Sequence, residues 1–453
     1  MPTPTTHALD LQSLPVGSLI PDPQNPRQHP DRHVRQLAKS IQTFGFNCPV
    51  LIDAQNHVIA GHGRLLAAKS LGWSEVPTIR LEHLSPDQVR AYRIADNRLT
   101  DCSTWDDRLL AEQLKVLSEA ELDFDLDAIG FDLPEIDFRI QSLGEIEEDV
   151  EELPSVDPSA EPVSRLGDVW QLESHRIACG NALLPETYAT LMASASAAVV
   201  FTDPPYNVPI AGHVSGNGAI QHPEFPMASG ELSQEGFTDF LRQALREMRR
   251  TSVAGALIYV CMDWRHVGEL LAAGDAAELS LKNLCVWDKG TGGMGSFYRS
   301  QHELVFVFKA GEAAHTNNVQ LGRFGRNRTN VWRYPGINSF ARSTGEGNLL
   351  ALHPTVKPVV LIADVLLDAS QRGEIVLDPF LGSGSTLIAA EQTGRIAYGI
   401  ELDPRYVDVA IQRWQRRTER SAVLVESGEP FEAVMARRAA GAVDEVVSQE
   451  VAP

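Results

Sequence analysis

Nine residues, Asp378-Pro379-Phe380-Leu381-Gly382-Ser383-Gly384-Ser385-Thr386, constrain what this chain can fold into more than any other stretch. The run Glu374-Ile375-Val376-Leu377 before them reads as a buried parallel strand, and the glycines let the backbone turn sharply into a helix. A second strand, Arg395 to Ile400, then ends at Glu401. Strand, glycine turn, helix and a next strand ending in a carboxylate form the pattern of a site for a nucleoside-carrying cofactor. The backbone can approach the ligand closely, and the carboxylate can take ribose hydroxyls. Thr386-Leu387 leads to no third glycine, and no Gly-Lys-Ser/Thr is present, so neither the dinucleotide fingerprint nor a phosphate loop is complete. A cofactor with ribose and little phosphate fits better, and S-adenosyl-L-methionine is the common one.

A second strand end carries the chemistry. Ala197 to Phe201 is a short apolar run, followed by Thr202-Asp203-Pro204-Pro205-Tyr206. Two prolines stop ladder hydrogen bonding, so an acid, two rigid carbonyls and an aromatic ring are presented at a strand's carboxyl end, where open α/β sheets bind ligands. Asp203 can accept from an amino group, and the ring of Tyr206 can stack. Together they suit a planar ring with an exocyclic amine, which is a nucleobase. The bland alternative is a proline-terminated strand with a capping Asp and a core Tyr.

The chain has 453 residues, enough for two or three domains, and is 43% hydrophobic and 22% charged. Met1 to Asp10 is polar with two prolines, and no apolar run reaches the length of a membrane span, so a cytoplasmic location without membrane contact is expected. Cys48, Cys102, Cys179, Cys261 and Cys285 are scattered and odd in number. Buried thiols are expected from them, rather than a metal site or disulfides. The net charge of -21 argues against a nucleic-acid partner until its distribution is read. Glu121 to Glu161 holds fifteen acids and one Arg, whereas Val286 to Gly345 holds eight Lys or Arg and three acids. The first stretch reads as an acidic linker over 121–163, the second as a candidate site.

Before that linker, residues 1–120 form one compact pattern: a strand from Leu14 to Ile20, a helix from Asp31 to Phe44 closed by Gly45, and strands at 49–52 and 57–60. Helices then follow over Pro86 to Asn97, capped by Ser85, and Trp105 to Leu117. Gly61-His62-Gly63-Arg64 opens another helix, leaving backbone N–H groups at its start beside a cation, which is a usable phosphate site. A plain tight turn is the alternative. Asn25-Pro26-Arg27, the helix after it and the box Val58 to Arg64 resemble the N-terminal domain of the ParB partition family and its sulfiredoxin-like relatives. The resemblance implies a small α+β domain with a nucleotide or phosphate site at Arg27, Gly61, His62, Gly63 and Arg64. Where partition proteins carry Gly-Glu-Arg-Arg, this chain has Gly-His-Gly-Arg.

After the linker, the hairpin at 168–179, the two motif strands and further strands near 254–260, 284–287 and 303–308 predict an α/β domain over 164–420, with a tail beyond. Asp-Pro-Pro-Tyr followed much later by Asp-Pro-Phe-Leu-Gly-Ser-Gly resembles the amino-methyltransferases acting on nucleobases. That order is the one found in the permuted β group of DNA methyltransferases. Val286-Trp287-Asp288-Lys289, Tyr298 to Glu303, Val331-Trp332 and His353-Pro354-Thr355-Val356-Lys357-Pro358 match as well. The resemblance implies a Rossmann-like S-adenosylmethionine-dependent sheet. In it, Asp203, Pro204, Pro205 and Tyr206 would hold and stack a flipped base. Asp378, Phe380, Gly382, Gly384, Ser385, Thr386, Glu401, Thr355 and Lys357 would bind cofactor. Through the Asp heading the motif, the resemblance also implies adenine N6 over cytosine N4.

Arg323, Arg326, Arg328, Arg333 and Arg342 alternate with Asn and aromatic residues inside a target-recognition part placed at about 310–350, as phosphate and base-edge contacts require. Double-stranded DNA is the expected partner, with a nucleotide at the N-terminal domain and a homodimer as open alternatives. The rival readings are an N4-cytosine enzyme, and a DNA-binding or nicking partition protein with a degenerate methyltransferase half.

Overall fold

The computed structural model describes residues 9–144, 161–207, 230–290, 292, 297–335 and 357–450. The chain divides into two compact units, Met1–Gly144 and Glu145–Pro453.

In the first unit the four strands β1 (Leu11–Pro15), β2 (Val50–Ile52), β3 (Val58–Ala60) and β4 (Glu75–Arg80) form one sheet in the order β1-β4-β2-β3. Against it lie the helices α1 (Asp31–Phe44) and α2 (His62–Ser70), followed by α3 (Pro86–Asp101), α4 (Asp107–Glu119) and α5 (Leu133–Gln141). The core is Val16, Leu19, Val50, Ile52, Val58, Leu65, Ala68 and Val76. Each fully buried branched side chain there contributes about 1.5–3 kcal/mol. Gly45 ends α1 at φ 84, and Ser85 caps α3 in a reciprocal box with Gln88. The first strand begins earlier than the sequence predicts: it pairs with β4 through Leu11 to Pro15 and then breaks into a tight turn over Val16–Ser18. Pro15 is tolerated because β1 is an edge strand.

The acidic linker is corrected over its first half. Residues 126–129 form a helical turn and 133–141 form α5, with Ala128 and Ile136 fully buried. Lys39 pairs with Asp125 at 2.8 Å and also with Asp127, Arg32 pairs with Asp132, and Phe124 packs edge-on to Phe44 at 5.3 Å. Asp125, Asp127 and Asp132, which read as solvated charge, pair with basic residues of α1, while Ala128 and Ile136 between and after them are buried.

The second unit is built on a sheet of ten described strands. They are β5 (Val169–Leu172), β6 (His175–Cys179), β7 (Ala197–Thr202), β8 (Ser252–Met262), β9 (Leu279–Asp288), β10 (His302–Ala310), β11 (Val331–Arg333), β12 (Ile375–Asp378), β13 (Ile396–Glu401) and β14 (Val423–Leu424). Their order is β11-β9-β10-β8-β7-β12-β13-β6-β5-β14. The central strands β8, β7, β12, β13 and β6 run parallel, and β10 is antiparallel to both β8 and β9. Helices α6 (Pro185–Met192), α7 (Gln234–Arg250), α8 (Val267–Ala276), α9 (Val359–Ala369), α10 (Ser385–Thr393) and α11 (Pro404–Thr418) follow in chain order, with apolar clusters packed in the unit. This is the mostly parallel α/β sheet that the two motif strands demand.

The tail is corrected too. β14 pairs with β5, and the helix α12 (Phe431–Glu450) starts with Phe431 buried against Trp170 at 5.2 Å. Arg438 then pairs with Asp168 at 2.6 Å. Residues 423–438 therefore close the sheet beyond the hairpin. Of the cysteines, Cys179, Cys261 and Cys285 are buried as expected, whereas Cys48 and Cys102 are exposed.

Candidate active site

Strand direction brings the motifs together. Parallel pairing of β12 with β7 matches Val376 to Val199 and Leu377 to Val200, so Asp203 and Asp378 follow at the same sheet edge. β13 pairs parallel to β12 and delivers Glu401 to that edge. Because β10 runs the other way, its start rather than its end lies there, which places Glu303 opposite Trp287 at the end of β9.

The side chains around Asp203 form one buried network. Its Oδ1 accepts from Tyr206 Oη at 2.6 Å, and its Oδ2 accepts from Lys357 Nζ at 2.5 Å. The same ammonium lies 3.1 Å from Glu303 Oε2, and the other oxygen of Glu303 is held by Lys289 Nζ. Lys357 is 5% exposed, too buried to be a solvated helix-start cation. Its Nζ lies 5.6 Å from the centre of the Tyr206 ring and 6.0 Å from that of Trp287. Burial and the charge of Glu303 push the Asp203 carboxyl upward, against the pull of Lys357. Burial alone would also lift Glu303, but Lys357 and Lys289 hold it down at about 2. Burial opposes the charge on Lys357, yet its two carboxylates keep it protonated.

Asp378 ties the edge together. Its Oδ1 accepts from Thr202 Oγ1 at 2.9 Å and from the Phe380 amide at 3.1 Å, and its Oδ2 accepts from Thr386 Oγ1 at 2.6 Å. Burial lifts this carboxyl to about 6 against those bonds. Gly382 and Gly384 sit at φ 53 and 85, conformations that L side chains rarely adopt. A Cβ on Gly384 would lie 2.9 Å from Ala410 Cβ, so the turn needs glycine for space as well as for φ. Glu401 accepts from the amides of Gly382 and Asp403, both at 2.8 Å, and burial lifts it to about 7. Phe380 lies half-buried beside Phe240, at 5.9 Å. A glycine turn with a buried carboxyl beside it suits a nucleoside. Ser385 and Thr386, the first residues of α10, are both buried.

The structure separates the predicted arginines. Arg326 Nη2 and Nε meet Asp364 and Asp368 at 2.9 and 2.8 Å, and Arg328 Nη1 and Nε meet the same two carboxylates at 2.9 and 3.0 Å. Arg328 also donates to Tyr334 Oη at 2.7 Å. Both guanidinium groups are paired with carboxylates of α9, which leaves fewer of their donors for DNA. Arg323 and Arg333 are exposed. Arg342 and Thr355 lie outside the described residues. Lys357, expected in the cofactor set, faces the Asp203 cluster.

In the sequence, Lys289 and Glu303 stand out only as residues of matching stretches, with no role attached. Their signal was two charges placed where apolar strands meet a glycine loop.

In the first unit, Gly61 is the left-handed cap of α2 at φ 97. A Cβ on Gly63 would lie 2.9 Å from Leu37 Cδ1 and 3.0 Å from His29 Nδ1, so this glycine serves packing. Arg64 donates to the Pro49 carbonyl at 3.4 Å, and Arg27 reaches the Asn97 carbonyl at 3.5 Å. His62 Nε2 accepts from the Asp22 amide at 3.3 Å, and burial, with Arg93 and His29 adding their charge, lowers it to about 4. His62 thus ties the loop carrying Asp22 to the start of α2.

The fold is that of an S-adenosylmethionine-dependent methyltransferase sheet, preceded in the chain by a separate small α+β unit. Residues 197–412 match the N6/N4 DNA methylase family model, residues 3–97 the ParB N-terminal domain, and residues 108–166 the ParB-methyltransferase HTH domain. The chain thus carries an N6/N4-type DNA methylase domain preceded by ParB-type N-terminal and HTH domains. The type II methyltransferase M2.MboI of Moraxella bovis is 23% identical over 230 residues, covering 49% of this chain and 81% of its own. YubD of Escherichia coli (strain K12) is 28% identical over 214 residues, covering 47% and 80%. M1.HpyAVI, solved as a complex with SAM, shares 16% identity at a TM-score of 0.39 over 52% of this chain and 97% of its own. Among the described residues no helix is long and apolar enough to cross a membrane.

Proposed function

We propose that this chain methylates the exocyclic N6 amino group of adenine in double-stranded DNA. The observation that carries this is the Asp203 network. A carboxylate at a strand end, braced by Tyr206 and Lys357, lies one strand away from the glycine turn of the cofactor motif. The target base leaves the duplex at a cost of about a few kcal/mol, offset by stacking and edge hydrogen bonds. Tyr206 stacks on it, while Asp203 and the Pro204 carbonyl accept from its amine and keep the nitrogen lone pair free to attack. Phe380, Gly382 and Gly384 seat the cofactor, and Glu401 accepts from its ribose. The cofactor supplies an electrophilic methyl group. The Asp heading the motif favours adenine; cytosine N4 is the rival target. Arg323 and Arg333 contact phosphate, and the ParB-type domain binds a nucleotide near Arg27 and Gly61.

The test is transfer of labelled methyl from S-adenosyl-L-methionine to unmethylated genomic DNA, followed by nucleoside analysis. Label in N6-methyladenine, abolished by Asp203→Ala, supports the proposal. Label in N4-methylcytosine moves the assignment to the other base. No label with cofactor still bound overturns it.

A further inference from the structure

The Asp203 network holds two carboxylates and two ammonium groups, which is one pair more than a single hydrogen-bond acceptor for an amine needs. Each oxygen of Asp203 already accepts a bond: Tyr206 holds one at 2.6 Å and Lys357 the other at 2.5 Å. An amine arriving at Asp203 competes with them for its lone pairs, and most directly with Lys357, whose ammonium draws negative charge off the oxygen it bonds. Moving a buried ammonium away from its only counter-charge would be costly. Lys357 has a second carboxylate within reach, Glu303 Oε2 at 3.1 Å, so it can swing without losing its charge partner. Glu303 is itself fixed, 14% exposed and bonded to Lys289 through its other oxygen.

We propose that Glu303 is a positioning residue: it takes over Lys357 when the target amine arrives, and so frees Asp203 to accept first the amine's hydrogen bond and then its proton. This rests on the amino-methylation reading above. Once methylated, the target nitrogen is positively charged. Its N–H bond breaks, the electron pair returns to nitrogen, and the proton forms an O–H bond on Asp203, which becomes a neutral acid. Asp203 must therefore be basic enough to take that proton although an ammonium lies beside it. The groups facing it are Lys357 ahead of α9, Glu303 on β10, Lys289 after β9, Tyr206, Cys261 on β8 and Asp378 on β12. Of the charged ones, Glu303 shares Lys357 with Asp203, and Lys289 acts through Glu303. Burial and the Glu303 charge both raise the Asp203 carboxyl, as a proton acceptor here requires.

The experiment is a 13C titration of carboxyl-labelled aspartate in the full chain, without DNA or cofactor, with Asp203 assigned by the signal lost in Asp203→Asn. Glu303→Gln is expected to lower the Asp203 midpoint by about one unit or more, because a negative charge goes and Lys357 turns wholly onto Asp203. Lys289→Met is expected to raise it, because Glu303 then acts unshielded, and Glu303→Asp returns it toward the wild-type value. The acid limb of the methyl-transfer rate should move the same way in each variant. Thermal unfolding of each variant separates these shifts from loss of fold. Midpoints unmoved in folded Glu303→Gln and Lys289→Met proteins, or moved in the same direction by both, overturn the proposal. Wild-type protein that methylates no DNA sinks the methylation reading, while the titration still decides the coupling.

Discussion

Replacing Arg326 with Met separates a structural arginine from a DNA contact. The guanidinium is 7% exposed and ion-paired to Asp364 at 2.9 Å and Asp368 at 2.8 Å, and it also donates to the Asp364 carbonyl at 3.1 Å. Removing it leaves two carboxylates, 14% and 12% exposed, with Arg328 as their shared ion-pair partner and Tyr334 Oη still donating to Asp364. Breaking a buried pair from one side costs about 3–5 kcal/mol, since the orphaned charge stays in a poor solvent. The retained Arg328 sets the expectation at the lower end, about 3 kcal/mol, which shifts the folding equilibrium of the methylase unit roughly a hundredfold. Urea unfolding followed by tryptophan fluorescence reads that loss. DNA affinity, measured on the folded fraction from low to moderate salt, should keep its slope against log salt. A phosphate contact would contribute about 0.9 to that slope. An Arg326→Met protein of undiminished stability whose salt slope falls by about one would refute the reasoning.

Four other outcomes are expected. Arg333→Ala, at an exposed guanidinium, should leave the urea midpoint within error and lower the salt slope by about one. Asp203→Asn keeps an acceptor oxygen but loses the base, so single-turnover methyl transfer should fall by about two to four orders of magnitude. Gly384→Ala should cost about 1–2 kcal/mol for its left-handed φ, and more for the contact with Ala410. Gly373→Ala, at φ 76 with open space around it, isolates the first part, so equal losses in the two variants would refute the contact. Glu401 and Asp378 have carboxyls raised to about 7 and about 6 from ordinary values of 4.5 and 3.8. The folded state holds those protons longer than the unfolded chain, so their contribution is complete below about pH 4 and is lost as pH rises through 6 to 7. Glu401→Gln should flatten the fall of stability with pH, as read by thermal unfolding between pH 4 and 8.

What the sequence made legible was periodicity and punctuation. The strand ends at Asp203 and Asp378 were readable because proline and glycine act within a few residues, through φ and missing donors. That both ends face one edge follows from parallel pairing, a rule about direction that needs no coordinates. Glu303 escaped because its place depends on β10 running antiparallel, which puts the start of that strand where its neighbours end. Lys357 was readable as a matching residue, but its partners lie 154 positions away at Asp203 and on another strand at Glu303. The turn over Val16–Ser18 and the packed segment 423–438 were missed for the same reason: each is held by contacts that no window of neighbours contains.

Charge was the least legible property, and the two errors it caused have one origin. In sequence, a run of charges reads as surface, and its sign points to the partner. The acidic stretch after Glu121 is instead partly absorbed by Lys39 and Arg32 on α1, so it folds where repulsion alone would keep it extended. The basic stretch before Gly345 loses Arg326 and Arg328 to Asp364 and Asp368, so it offers DNA fewer cations than its count implies. Linear charge density measures what the chain carries; folding decides how much of it remains for a partner. For a protein of net charge -21 that is proposed to bind a polyanion, this has a kinetic consequence. Long-range attraction is weak, and capture of DNA must depend on a few exposed cations such as Arg323 and Arg333, within a screening distance of about 10 Å at 0.1 M salt.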